Sequence, residues 1–162
     1  MEGERPISNI GGMRKGNDVR LTITRARTRD TLLRHKDLIR RAFEVGEYPG
    51  DITAIYGDLV ANAHSDSRGI FIGLVDGSPR SLIVALLPDA PLMGYPQVPI
   101  AYSDGPPALA RVMGARLREW VMRAGYDRFW CINLMRSDKA FLRVFRHAGQ
   151  ASVKGSIVEF LL

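Results

Sequence analysis

The segment GIFIGLVDGSPRSLIVALL, Gly69 to Leu87, restricts the fold of this chain more than any other. Two apolar runs, each of strand length, flank Asp76-Gly77-Ser78-Pro79, and Asp-Gly between such runs is a tight-hairpin signal. A hairpin forces antiparallel pairing, whereas parallel strands need long crossover connections. The middle of the chain therefore belongs to a mixed sheet and not to a doubly wound parallel one.

The other elements arrange themselves around that hairpin. In VRLTITRA, Val19, Leu21 and Ile23 alternate with Arg20, Thr22 and Thr24, the pattern of a half-buried strand. Thr28 or Asp30 then caps a helix with an apolar stripe of Leu32, Leu33, Ile39, Ala42 and Phe43, closed by Gly46. Asp51 caps a second helix through Ile52, Ile55, Leu59 and Val60. Beyond the hairpin, a proline-punctuated loop leads to the strand VPIAYS and then to the strongest helical period in the chain. Its apolar positions are Leu109, Val112, Met113, Leu117, Trp120, Val121 and Ala124, with Gly125 after them. RFWCINL follows as a buried strand, SDKAFLRVFRHAG as a helix capped by Ser137 or Asp138, and GSIVEFLL as the closing strand. The order β-α-α-β-β-β-α-β-α-β predicts one α/β (α+β) domain over residues 17–162, its mostly antiparallel sheet flanked by helices. Residues 1–16, with four glycines, a proline and several charges but no periodicity, read as a flexible basic arm.

Charge is segregated along the chain. Residues 1–41 carry net +6, residues 42–105 net −6, and residues 106–162 net +6. Such blocks suit association with other protein subunits through the arm and the charged faces. Nucleic-acid binding ranks below that, because no recognised nucleic-acid module accompanies the charge. No run approaches the roughly 18 apolar residues of a membrane span, and the first residues hold no apolar signal core, so a cytoplasmic protein is expected. The single cysteine, Cys131, excludes an intrachain disulfide and sits in an apolar run, as a buried thiol would. His35, His64 and His147 lack the short spacings of a metal centre, and no serine lies in a nucleophile elbow, so the residues themselves offer no catalytic group and no metal site.

Three stretches carry a resemblance to a known family: GIFIGLVDGSPRSLIVALL, LREWVMRAGYDRFWCINL and AFLRVFRHAGQASVKGSIVEFLL. Over residues 19–162 the chain resembles the GNAT (Gcn5-related N-acetyltransferase) superfamily, and its second half resembles small GNAT-like proteins of bacteriophage genomes. The resemblance implies an acetyl-CoA pyrophosphate loop of the form Q/R-x-x-G-x-G/A at the mouth of the long helix. Two registers fit. RVMGAR, Arg111 to Arg116, falls inside the helical period, whereas GPPALA, Gly105 to Ala110, falls where the strand ends and is preferred.

In that register Gly105 replaces the Gln/Arg, Ala108 replaces the central glycine, and Ala110 alone fits. Pro106 and Pro107 bring no N–H, and Asp104 brings a negative charge. The residual cradle comprises the N–H groups of Ala108, Leu109 and Ala110. Pro96 and Pro99 likewise thin the preceding strand's donors. The family's general-acid tyrosine falls on Phe145 and its turn aromatic on Gln150, leaving Tyr102 as a substitute acid and Asp76, Asp89 and Asp104 as nearby carboxylates. The favoured reading is a GNAT-like protein without cofactor or catalysis, serving as a protein-binding scaffold and most concretely as a phage virion or assembly component. The alternative is an active N-acyltransferase that uses acetyl-CoA and an amine acceptor.

Overall fold

The computed structural model describes residues 18–46, 50–89, 94–132, 150–154 and 157–161. Among them seven strands form one sheet: β1 (Leu21–Arg25), β2 (Arg68–Val75), β3 (Ser78–Leu86), β4 (Gln97–Ser103), β5 (Arg128–Ile132), β6 (Gln150–Lys154) and β7 (Ile157–Leu161). Their order across the sheet is β1-β2-β3-β4-β5-β7-β6. Every neighbouring pair is antiparallel except β4 and β5, which run parallel. The helices are α1 (Arg29–Arg34), α2 (Lys36–Gly46), α3 (Ile52–Asn62) and α4 (Pro107–Arg123).

The hairpin forms where its sequence demands. Asp76 and Gly77 both take positive φ, +50° and +81°, the twist that a two-residue turn needs between right-twisted strands. Asp76 also accepts the Arg20 N–H through Oδ1 at 2.9 Å, tying the start of β1 to the turn. Thr28 caps α1 by accepting the Thr31 N–H, and Asp51 caps α3 by accepting the Thr53 N–H.

Two expectations are corrected. The single helix from Thr28 to Gly46 is two helices, broken at His35 (φ −110°, ψ 18°), whose N–H turns back to the carbonyls of Leu32 and Leu33. That break takes Leu33 out of the apolar stripe and leaves it exposed, while Leu32, Ile39, Ala42 and Phe43 stay buried. The closing strand is a hairpin of β6 and β7, paired from Gln150↔Leu161 to Lys154↔Ile157. Alternation in QASVK is too short to read as a strand in isolation, and it is the pairing with β7 that makes it one. The arm at 1–16, the helix expected over 137–149, and Phe145 and His147 lie outside the described residues.

The sheet has a core on each face because side chains alternate along its strands. Ile70 and Ile72 of β2, Leu82 and Val84 of β3 and Ile100 of β4 pack under Leu32, Leu38, Ile39, Phe43 and Leu59 of α1–α3. On the other face Phe71, Ile83, Ala85, Val98, Phe129 and Cys131 pack against Leu109, Met113, Leu117 and Val121 of α4. Glycines on β2 let α4 approach. A Cβ on Gly73 would stand 2.9 Å from Met113 Sδ and 3.1 Å from Ser81 Cβ. One on Gly69 would stand 2.8 Å from a Phe71 ring carbon and 3.2 Å from the Trp120 indole, two rigid rings that stack edge to face. Replacing Gly69 with alanine should therefore destabilise the fold by about 1–3 kcal/mol through overpacking. A urea titration checks this by a lower midpoint at unchanged slope.

Candidate cofactor cleft

Among the described residues β4 and β5 pair at Gln97↔Trp130 and Val98↔Cys131, with the Trp130 N–H bonded to the Pro96 carbonyl at 2.8 Å. Strand β4 runs on to Ser103 without a described β5 partner, and α4 begins four residues later. A register shift between Val84 and Leu86 of β3 puts an additional residue into β4 between Gln97 and Ile100. Pro99 lies within that irregular stretch, where a missing donor disturbs the ladder least. A strand that leads onto a helix N-terminus beside a parallel neighbour offers a slot for an extended ligand with an anionic end.

The residues at the mouth decide what that slot can hold. RVMGAR lies wholly inside α4, whereas Gly105 to Ala110 spans the loop and first turn. Pro106 is the N-cap residue and makes no side-chain cap bond, and Pro107 is the first helical residue. Neither Asp104 nor Ser103 caps the helix. Asp104 instead accepts the Tyr102 hydroxyl at Oδ2 (3.0 Å) and lies 3.8 Å from an Arg80 guanidinium nitrogen. The Asp104 N–H bonds the Arg80 carbonyl, and the Gly105 N–H points at Ser103 Oγ at 3.4 Å.

The Leu109 N–H, expected in the residual cradle, is bonded to the Pro106 carbonyl at 2.9 Å, and the Leu109 side chain is fully buried. Leu109 therefore leaves the donor set, and so does Ala110, the fourth helical residue, whose N–H belongs to the helix's own first i→i−4 bond; Ala108 remains. Gly105 is not an open cradle glycine either. The space beside its Cα is filled by the helix's own Leu109, 2.7 Å from where a Cβ would stand, and by Arg80 Cβ at 3.2 Å.

Of the candidate catalytic groups, the structure brings Tyr102 and Asp104 together and leaves Asp76 and Asp89 apart from them. Tyr102 is half-buried beside the core under α2, and its phenol is held above the ordinary value first by burial and then by its bond to Asp104. Asp76 sits in the β2–β3 turn, and Asp89 lies exposed beyond β3. Burial pushes the Cys131 thiol up to about 12, so it is neutral and unreactive at physiological pH. Among the described residues no group of three His, Cys, Asp or Glu side chains is placed to hold a metal, and no helix is long and apolar enough to cross a membrane. A separate open cleft of about 380 Å³ lies at the far end of β4, lined by Ser67, Arg68, Asp89, Tyr95 and Gln97 among others. No local pattern marks it, because its walls come from three separate segments.

The chain superposes on the GNAT domain of S. lividans PAT with a TM-score of 0.66 at 14% identity, covering 86% of this chain and 89% of that one. A GNAT-family acetyltransferase from Streptococcus pneumoniae gives 0.63 at 12% identity, covering 88% and 99%. The yncA protein of Salmonella typhimurium, solved with its cofactor acetyl-CoA, gives 0.61 at 12% identity, covering 87% and 93%. No protein-family model matches the sequence, and no curated protein matches it. The chain has the GNAT fold, a mixed and mostly antiparallel sheet flanked by helices.

Two measurements test the mouth. Replacing Asp104 with asparagine removes the carboxylate that holds the Tyr102 proton, so its titration midpoint should fall toward the usual tyrosine value. Carbon-13 NMR of labelled tyrosine reads this directly, and an unchanged midpoint would contradict the contact. Cys131 should resist a thiol reagent in the native protein at pH 8 and react fully once the chain is unfolded.

Proposed function

We propose that this protein keeps the GNAT fold without its cofactor chemistry and serves as a non-enzymatic, protein-binding component. The observation that carries the reading is the mouth of α4. Two prolines, an engaged Leu109 N–H and the Asp104 carboxylate stand where a pyrophosphate would need donors and positive potential. Each lost charge-assisted bond is worth about 1.5–3 kcal/mol. Losing two weakens binding by roughly two to four powers of ten. The resemblance of the second half to GNAT-like proteins of phage genomes makes a virion or assembly component the most concrete form of the proposal. In that form residues 1–16 and the charged faces are the docking features, and the protein moves from the cytoplasm into the particle.

One observation favours the second reading, an acetyl-CoA-dependent N-acyltransferase: β4 leads, beside a parallel β5, onto the N-terminus of α4, and yncA with the same fold was solved with acetyl-CoA. In that case the Ala108 N–H would supply the remaining backbone contact, and the amine would attack the thioester carbonyl directly, displacing the coenzyme A thiolate, which takes up the amine's proton. Titration calorimetry separates the two. The scaffold reading predicts no saturable heat with acetyl-CoA up to about 1 mM, and a dissociation constant in the low micromolar range would overturn it. Deleting residues 1–16 should leave the circular dichroism spectrum and melting temperature unchanged while abolishing assembly with the partner; unaltered assembly would count against the docking role.

A further inference from the structure

Strand β1 is one edge of the sheet, and among the described residues nothing pairs with its outer side. The Arg20 carbonyl accepts the Asp76 N–H, and the Ala26 N–H reaches the Ile70 carbonyl, both at 2.8 Å. With the register Leu21↔Val75 to Arg25↔Phe71, antiparallel alternation directs the backbone groups of Thr22 and Thr24 to β2. Those of Leu21, Ile23 and Arg25 then point outward. Among the described residues, none of these three backbone N–H and three C=O groups has a partner.

Sheet edges are ordinarily guarded by prolines, bulges, lysines or projecting charge. The β1–β2 register is uninterrupted, and LTITR contains neither proline nor lysine. Its one charge is turned aside: the Arg25 guanidinium lies 5.7 Å from the Trp120 ring centroid and donates to the Arg68 carbonyl at 3.0 Å. Just before the strand, Val19 is 54% exposed.

We infer that this edge pairs with the same edge of a second copy, antiparallel, about a two-fold axis at Ile23. The outward set is symmetric about its middle member, so one register, Leu21 opposite Arg25, Ile23 opposite Ile23 and Arg25 opposite Leu21, engages all six groups. Threonine 22 then faces Thr24 of the other copy on both sides of the axis, a favourable cross-strand pair. Arg20 meets Ala26 and Arg27 meets Val19, so no like charges oppose. A five-residue edge buries less than the roughly 1,200 Å² of a standard interface, which sets the dissociation constant on the order of 10 µM.

Sedimentation equilibrium of the full chain from about 1 to 200 µM tests this, with amide hydrogen exchange on the same samples. The expected result is a monomer–dimer equilibrium in which the N–H groups of Leu21, Ile23 and Arg25 gain protection as concentration rises. The double substitution T22K/T24K puts lysine opposite lysine twice and should weaken the dimer about tenfold. T22E/T24K puts glutamate opposite lysine twice and should restore it, which any shifted register would not do. Exclusive monomer at every concentration overturns the proposal. So does a dimer indifferent to T22K/T24K, and so does protection of the three amides that ignores concentration, since residues of the same chain would then cover the edge. The exchange measurement needs no substitution and decides the matter if a variant fails to fold.

Discussion

The seating of α4 on the sheet is the contact on which the rest of this structure depends. Leu109, Met113, Leu117 and Val121 are each at most 1% exposed, and they rest on Phe71, Ile83 and the two glycines of β2. Helix burial of this kind supplies most of a helix's stability, since propensity alone supports few helices in water. It also fixes the loop ahead of the helix. Gly105 has no side chain because Leu109, locked in the core, already occupies that space.

The loop at the mouth of the slot is consequently held by packing. Pro107 presets the backbone of the first turn at a position whose N–H has no helical partner in any case. Asp104, two residues before the N-cap, meets the positive end of the helix dipole with a charge of its own, and Tyr102 and Arg80 satisfy it. A helix start built in this way is self-sufficient. On the proposed reading fold and cofactor binding are separable: the sheet and the seating of α4 rest on core packing, whereas anion binding rests on a few N–H groups.

Much of this was legible in the residues. The positive-φ pair Asp76-Gly77, the caps Thr28 and Asp51, and the position of α4 follow from local chemistry that tertiary context did not override. The break at His35 was not legible, because the apolar positions keep a helical spacing on either side of it and only Leu33 falls out of line. Strand β6 was hidden by its dependence on β7. At the mouth, the prolines and Asp104 were visible as letters, but the engagement of the Leu109 N–H by Pro106 and of Asp104 by Tyr102 depends on the loop's path.

The central claim is that α4 starts without an anion cradle. Amide NMR of the nitrogen-15-labelled protein titrated with coenzyme A reads that position residue by residue. The account predicts that the N–H signals of Gly105, Ala108, Leu109 and Ala110 stay in place up to millimolar ligand. Saturable shifts of Ala108 and Ala110 at micromolar ligand would contradict it.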